Sequence, residues 1–267
     1  MIKDFAVLMT TCDSYYDVAM NFFPILKLYW SNFSEKVYIL SEIGEYDYHH
    51  EDAIVINAGN NKSWSSRLEY AISRIDENYI LFMMDDYYLG NNVSSENIKD
   101  IITFMKDNNI YYYCLRNMAK TNKLYPNGKA GYIDADRKYG MSLQAAIWRT
   151  DYLRKIVSGN NCSAWQIENL MNRNISEKKE FLENAAVDVR NLLNIQNAVI
   201  KGKWVPKVIR FYRRRGYIIA LGKREILSIK ERTWIFIAGR ANKILPPNIS
   251  RILKKKMKKF GFKFVTE

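Results

Sequence analysis

Two adjacent acids, Asp85 and Asp86, follow an apolar run in the segment YILFMMDDYYL. A carboxylate at the end of a buried strand can hold a divalent cation such as Mn²⁺ or Mg²⁺, which otherwise keeps water and substrate phosphates as ligands. Such a cation would stabilise negative charge on a departing diphosphate. The alternative interpretation is a polar turn that an aspartate begins. The acids act together only if the chain turns there, because successive residues of a strand point to opposite faces.

A second strand ends in polar residues near the N-terminus, where the apolar run FAVLMT is followed by TCDSYYD. Ligands of open parallel sheets bind at the carboxyl ends of the strands, so we expect this loop to lie near the two acids. Four of its residues are candidates for hydrogen bonds to a nucleoside: Thr10, Thr11, Asp13 and Ser14. No glycine-rich dinucleotide or P-loop motif accompanies them, which argues against those two enzyme classes. An ordinary strand-to-helix loop is the alternative.

Strands and helices alternate through the first 115 residues. Continuous apolar runs predict strands at 5–10, 36–41, 53–58, 79–84 and 110–115, and helical periodicity predicts helices between them. One such helix begins near Ser63 with Trp64, Leu68, Ala71, Ile72 and Ile75 on one face. This alternation predicts an α/β fold with a parallel sheet flanked by helices.

Five motifs follow one another in a fixed order: TTCDSYYD, SWSSRLEYAI, DDYYL, SLQAAIWRTDYL and AWQIE. In this order they resemble a group of bacterial nucleotide-sugar glycosyltransferases of surface-polysaccharide assembly, which have a GT-A-type (Rossmann-type), mostly parallel sheet. The resemblance covers residues 5–210. It implies a catalytic domain over 1–210 and leaves 211–267 as a basic helical C-terminal extension.

The resemblance implies roles for particular residues. Asp13 and its neighbours would contact the nucleoside, Arg67 would lie near the donor, and Asp85 and Asp86 would occupy the place of the Asp-x-Asp metal motif. Asp85 would also contact the donor, and Asp86 would take part in catalysis. This chain has Asp-Asp in place of Asp-x-Asp, which leaves its dependence on Mn²⁺ or Mg²⁺ open.

An inverting transfer also needs a base, because the acceptor hydroxyl loses its proton as it attacks the anomeric carbon. Glu168 in SAWQIE is the candidate. Trp165 lies three residues earlier, so on a helix its ring could pack on the acceptor sugar beside the carboxylate. Gln144 is a second candidate acceptor contact. The alternative is a surface glutamate beside a core tryptophan.

The charge of the chain is unevenly distributed. The net charge is +13, yet residues 199–267 hold 20 Lys and Arg against 3 Asp and Glu. The remaining residues are therefore mildly acidic, which argues against an enzyme body that binds nucleic acid. The odd, widely spaced cysteines and the absence of a long apolar run predict a cytoplasmic protein without a signal peptide or membrane span.

Two parts of the basic quarter have candidate roles. The four arginines Arg210, Arg213, Arg214 and Arg215 could close over the donor or meet a lipid diphosphate, or they could form a solvated helix face. Residues 248–260 predict a basic amphipathic helix, which would lie in an anionic membrane surface at the inner face of the plasma membrane. The alternative for this helix is docking on the protein's own core.

These observations together predict a glycosyltransferase with a nucleotide-sugar donor and a carbohydrate or lipid-linked acceptor, and no nucleic-acid partner. Two alternatives remain. A sugar-phosphate nucleotidyltransferase would use the same sheet and acids, although TTCDSYY lacks its glycine-rich basic loop. A non-enzymatic module that binds anionic lipid or nucleic acid would account for the basic tail alone.

Overall fold

The computed structural model describes residues 2–51, 53–116, 121, 123–133, 140–173 and 182–244. The helix predicted over 248–260 lies outside these residues. The helices are α1 (Tyr16–Tyr29), α2 (Trp64–Ile72), α3 (Ser95–Asp107), α4 (Thr150–Val157), α5 (Ala164–Arg173), α6 (Pro206–Arg213) and α7 (Ile229–Ile244). No helix among the described residues is both long and apolar enough to cross a bilayer.

An eight-stranded sheet forms the centre of the described structure, in the order β3-β2-β1-β4-β8-β6-β9-β7. Its strands are β1 (Phe5–Thr10), β2 (Lys36–Ser41), β3 (Ala53–Asn57), β4 (Tyr79–Met84), β6 (Tyr112–Cys114), β7 (Ala130–Tyr132), β8 (Ala146–Arg149) and β9 (Ala185–Asp188). Only β8 and β7 run against the other six. The predicted mostly parallel sheet is therefore confirmed.

Four short strands form two small antiparallel pairs beside the sheet. They are β5 (Tyr87–Tyr88), which pairs with β10 (Gln196–Asn197), and β11 (Val199–Ile200), which pairs with β12 (Lys203–Trp204). The turn between β11 and β12 uses Lys201 and Gly202, both with positive φ, and glycine adopts that conformation without a steric penalty.

Alternation along the strands divides the core into two layers. In β1, Phe5, Val7 and Met9 point into one cluster, whereas Ala6 and Leu8 point into the other. The first cluster includes apolar residues of α1, α3 and α6, and the second includes those of α2 and α4. Helices therefore cover both faces of the sheet, as the alternation in the sequence predicts.

Helix caps explain where two of these helices begin. The side chain of Ser63 accepts a hydrogen bond from the backbone N–H of Ser66, and Ser94 does the same for Asn97. A serine at this position satisfies a donor that the first turn leaves open. The helix predicted to begin at Ser63 is confirmed.

The predicted boundary at residue 210 falls inside α6. Beyond it, Tyr212, Ile219 and Leu227 are buried, and the Tyr212 hydroxyl donates a hydrogen bond to the carbonyl of Leu89. Residues 211–227 therefore pack on the body, and the start of a separate extension stays a prediction.

A chain that ends at residue 210 should show no cooperative unfolding transition. It loses three buried side chains, each worth about 2–5 kcal/mol when truncated, against a total stability of about 5–15 kcal/mol. Thermal circular dichroism would test this, with a chain that ends at residue 244 as the control. Equal melting temperatures for the two would show that residues 211–227 contribute little to the core.

Candidate active site

The register of the parallel strands brings three polar strand ends together. Thr10 of β1 lies opposite Leu40 of β2 and Met84 of β4. The backbone N–H of Thr11 donates to the carbonyl of Leu40, and that of Asp85 donates to Thr10. The loops after β1, β2 and β4 therefore meet at the carboxyl edge of the sheet.

Asp85 is buried at this edge and bonded to the loop after β1. Its Oδ2 accepts a hydrogen bond of 2.7 Å from Thr11 Oγ1. Burial raises the pKa of Asp85 well above its usual range, and the charge of Asp86 raises it further. The hydrogen bond from Thr11 and the charge of Arg224 act in the opposite direction. Thr11 and Asp85, both predicted donor contacts, thus lie together.

Asp86 lies in a turn between β4 and β5. A turn at this point is the condition under which the two acids can face the same ligand. Burial raises its pKa to about 6, although its own backbone N–H and the charge of Arg116 lower it. Arg116 follows β6 and donates from Nη1 to Gln144 Oε1 at 2.6 Å and to Asn197 Oδ1 at 3.0 Å. The predicted acceptor residue Gln144 is therefore bonded to the arginine that faces Asp86.

Strand direction explains how Gln144 reaches this edge. Because β8 runs antiparallel to both β4 and β6, its first residue, Ala146, lies opposite Phe82 and Cys114 near their carboxyl ends. The residues just before β8 consequently lie at the same edge as the acids.

A glutamate that the sequence interpretation missed joins the loop after β1 to α2. Glu42 Oε2 accepts from the backbone N–H of Asp13 at 2.9 Å, and Glu42 Oε1 accepts from Arg67 Nη1 at 2.6 Å. Asp13 Oδ1 in turn accepts from the backbone N–H of Gly44 at 3.2 Å. The predicted donor residues Asp13 and Arg67 are therefore brought together through Glu42.

Glu168 lies on α5 and is partly buried. Its Oε1 accepts a hydrogen bond of 2.7 Å from the backbone N–H of Leu143, while burial raises its pKa. Its charge also raises the pKa of Tyr87, which follows Asp86 directly. Trp165 is 44% exposed, and among the described residues no hydrogen bond or ring contact joins its side chain to the acids.

A cavity of about 550 Å³ opens beside Asp13 and Ser14. Four basic residues of the C-terminal part line it, Lys201, Lys203, Lys223 and Arg224, together with the acids Asp13, Asp17 and Glu225. Arg224 donates to both carboxylate oxygens of Asp17, at 2.8 and 2.9 Å, and to the carbonyl of Ser14 at 2.7 Å. Since its charge also lowers the pKa of Asp85, Arg224 links the cavity to the acids electrostatically.

The two acids fit a divalent cation by their chemistry. Both carboxylates are partly shielded from water, which raises their pKa values. The shift reflects the free-energy cost of charging a buried carboxylate, and a bound cation would lower that cost. Among the described residues no group of three or more His, Cys, Asp and Glu side chains could hold a metal ion. The protein would therefore supply Asp85 and Asp86, and water or phosphate oxygens would complete the shell.

No protein-family model matches this sequence, and no curated protein matches it. Among solved structures, S. aureus TarS 1-349 is similar at 15% identity and a TM-score of 0.46, over 70% of this chain and 58% of that one. The glycosyltransferase GlyE of Streptococcus pneumoniae TIGR4 is similar at 11% identity and 0.41, over 70% and 45%.

A third similar structure is CMP:2-keto-3-deoxy-manno-octonic acid synthetase complexed with CTP, at 9% identity and a TM-score of 0.37, over 69% of this chain and 88% of that one. These likenesses concern the course of the chain alone. The chain spans less than two thirds of the TarS fragment. The mostly parallel sheet predicted from the sequence is confirmed in the strand order and strand directions of the chain itself.

Sequence interpretation missed three residues of this edge: Glu42, Arg116 and Arg224. Glu42 and Arg116 each come within two residues of a strand's carboxyl end, so the rule that located Asp85 could have found them. Arg224 has no such signal, because it reaches the site from a loop more than 200 residues after its partner Asp17.

The raised pKa of Asp86 predicts how stability depends on pH. Between the ordinary value of about 4 and about 6, the folded chain holds a proton that the unfolded chain has released, so stability falls as pH rises through this range. Asp86→Asn should therefore raise the melting temperature of the metal-free protein at pH 8 and have little effect at pH 4. The exposed Asp107→Asn serves as the control.

Mn²⁺ tests the same acids without an activity assay. At pH 8, millimolar Mn²⁺ should raise the melting temperature of the wild type and of Asp107→Asn, but not that of Asp85→Asn or Asp86→Asn. Equal shifts in all four proteins would place the bound cation elsewhere.

Proposed function

We propose that the chain is a glycosyltransferase that moves a sugar from a nucleotide-diphosphate donor to a carbohydrate acceptor. One observation carries the proposal: two desolvated carboxylates, Asp85 and Asp86, share one sheet edge with a cavity that four basic residues line. A ligand that joins a nucleoside, a diphosphate and a sugar meets complementary groups along this edge.

The loop after β1 would bind the nucleoside. Its Asp13 is held by Glu42 and Gly44, and Glu42 is in turn fixed by Arg67, so these side chains are preorganised. The cavity continues from Asp13 towards Lys201 and Lys223, whose positive charges suit the diphosphate, while Arg224 beside them is held by Asp17.

Glu168 would act as the base. Its burial and raised pKa make it a stronger proton acceptor than an exposed glutamate, and it lies near Tyr87, the residue after Asp86. The acceptor oxygen forms a bond to the anomeric carbon, and its proton passes to Glu168. The bond from the anomeric carbon to the diphosphate oxygen breaks, and its electron pair leaves with the nucleotide.

Other groups would position the reactants. Arg116 and Gln144 are bonded to each other beside Asp86, where they can donate to and accept from sugar hydroxyls. The exposed ring of Trp165 would extend the acceptor site along α5. A divalent cation held by Asp85 and Asp86 would supply Lewis-acid stabilisation of the departing diphosphate.

The acceptor and the cellular location belong to the same proposal. We propose an acceptor of surface-polysaccharide synthesis, carbohydrate or lipid-linked, and a cytoplasmic enzyme bound at the inner face of the plasma membrane. The basic sequence over 248–260 supports this, because each Lys or Arg near an anionic surface contributes about 1 kcal/mol to binding.

Calorimetric titration with UDP and with single-stranded DNA would test the donor site. At 150 mM salt we expect one UDP per chain, with binding at least tenfold weaker in Glu42→Gln, because glutamine has one acceptor oxygen and no charge and so cannot hold both the Asp13 N–H and Arg67. Glu96→Gln, an exposed change on α3, is the control. Binding of DNA without UDP would favour a binding module, and release of pyrophosphate from a nucleoside triphosphate and a sugar phosphate would favour a nucleotidyltransferase.

Glu168→Gln should lower turnover about 100-fold or more while UDP binding stays unchanged. In the wild type, turnover should also fall as pH decreases through the raised pKa of Glu168, and the Gln variant should lose this limb of the profile. The melting temperature controls for the lost acceptor of the Leu143 N–H. A variant with normal turnover and weakened UDP binding would remove Glu168 from the role of base.

A further inference from the structure

Helix α6 has one buried face and one basic face. Val208 and Tyr212 are buried, at 4% and 0% exposure, and pack in the first core cluster. The opposite side and the residues after it carry only exposed bases, which we call the α6 basic face: Lys207, Arg210, Arg213, Arg214 and Arg215. A helical spacing of three residues places Lys207, Arg210 and Arg213 in a row.

The positive charge of this face is not balanced by neighbouring acids. The sequence has no Asp or Glu between Pro206 and Ile219. Within the described ranges, none of the five bases takes part in an ion pair; Arg215 instead stacks over the ring of Phe211, with 3.7 Å from its guanidinium carbon to the ring centroid. Five uncompensated charges along about 12 Å of helix form a strong attraction for anions.

The α6 basic face does not serve the acids of the candidate active site. The cations that lower the pKa values of Asp85 and Asp86 are Arg224 and Arg116. The bases of α6 point to solvent instead. The exposed arginines therefore do not contact the two acids, and their role stays a prediction.

Exposed aliphatic side chains accompany these charges. Ile218 is 80% exposed directly after the arginines, and Ile229 at the start of α7 is 74% exposed. Isoleucine side chains contribute little to binding nucleic-acid phosphates, but beside lysines and arginines they enter the acyl boundary of a membrane. Residues 226–267 add eleven Lys and Arg against two Glu, so the chain that follows carries the same sign of charge.

We propose that the α6 basic face and Ile218 form a binding surface for anionic lipid headgroups, separate from the helix predicted over 248–260. Guanidinium groups bind the lipid phosphates, and Ile218 inserts between the acyl chains. Because α6 packs on the segment that follows the two acids through Tyr212 and Leu89, lipid binding here fixes the orientation of the sheet edge relative to the membrane. The surface is independent of the proposed transfer reaction.

Sedimentation with vesicles tests this surface in the full chain, with phosphatidylcholine vesicles that contain or lack phosphatidylglycerol. The variant R210Q/R213Q/R214Q removes three charges from the face, and K3Q/K27Q/K99Q removes three exposed lysines from the body as a matched control. We expect the partition coefficient on phosphatidylglycerol vesicles to fall about 100-fold in the first variant and less than about threefold in the second. Ile218→Ser should weaken binding about tenfold with the net charge unchanged.

Each outcome decides the proposal. Equal losses of vesicle binding in the two triple variants, or no loss in either, would overturn the proposal. The attraction to anionic lipid would then be assigned to the rest of the basic quarter. Loss of single-stranded DNA binding with vesicle binding intact would replace lipid by nucleic acid. UDP binding should be the same in all variants, which separates this test from that of the proposed reaction. If the arginine triple variant fails to fold, Arg213→Glu alone, with Lys99→Glu as control, gives the same comparison.

Discussion

The adjacent carboxyl groups of Asp85 and Asp86 at the end of a buried strand constrain the rest of the structure. Desolvating an unpaired charge costs several kcal/mol, so such groups need donors and cations around them. The loop after β1 supplies Thr11, the end of β6 supplies Arg116, and a C-terminal loop supplies Arg224. The electrostatic environment of the acids therefore exists only when distant parts of the chain have come together.

Arg224 shows how the C-terminal quarter is divided. It is bonded to Asp17, to the carbonyls of Ser14 and Gly202, and lies 4.2 Å above the ring of Tyr15. Lys203 is likewise paired, with Glu225 and Glu231. These bases are part of the folded body, whereas those of α6 face solvent. Composition alone does not distinguish the paired bases of the folded body from the exposed bases of α6.

The parts of the fold that depend on local patterns were predictable from the sequence. Strands β1, β2 and β4 lie within the predicted bounds because each is a continuous apolar run that ends in polar residues. The antiparallel direction of β8 was not predictable, because the apolar pattern of a buried strand does not depend on the direction in which it pairs with its neighbours. That direction brings Gln144 to the acids and so determines the acceptor side of the candidate site.

The same limit explains why the sequence revealed only some of the residues of the candidate site. Asp85 and Asp86 directly follow β4, and Asp13 comes three residues after β1, so residue type and position together reveal them. Glu42, Arg116 and Arg224 act through partners 22 to 210 residues away, and a sequence read without its fold does not show such pairs. Yet Arg224 and Arg116 lower the pKa values of Asp85 and Asp86, respectively, and so favour their charged forms. The chemistry at this edge therefore depends on the ion pairs around the acids as much as on the acids themselves. The buried negative charge of the acids opposes folding, and ligand binding acts on that same charge.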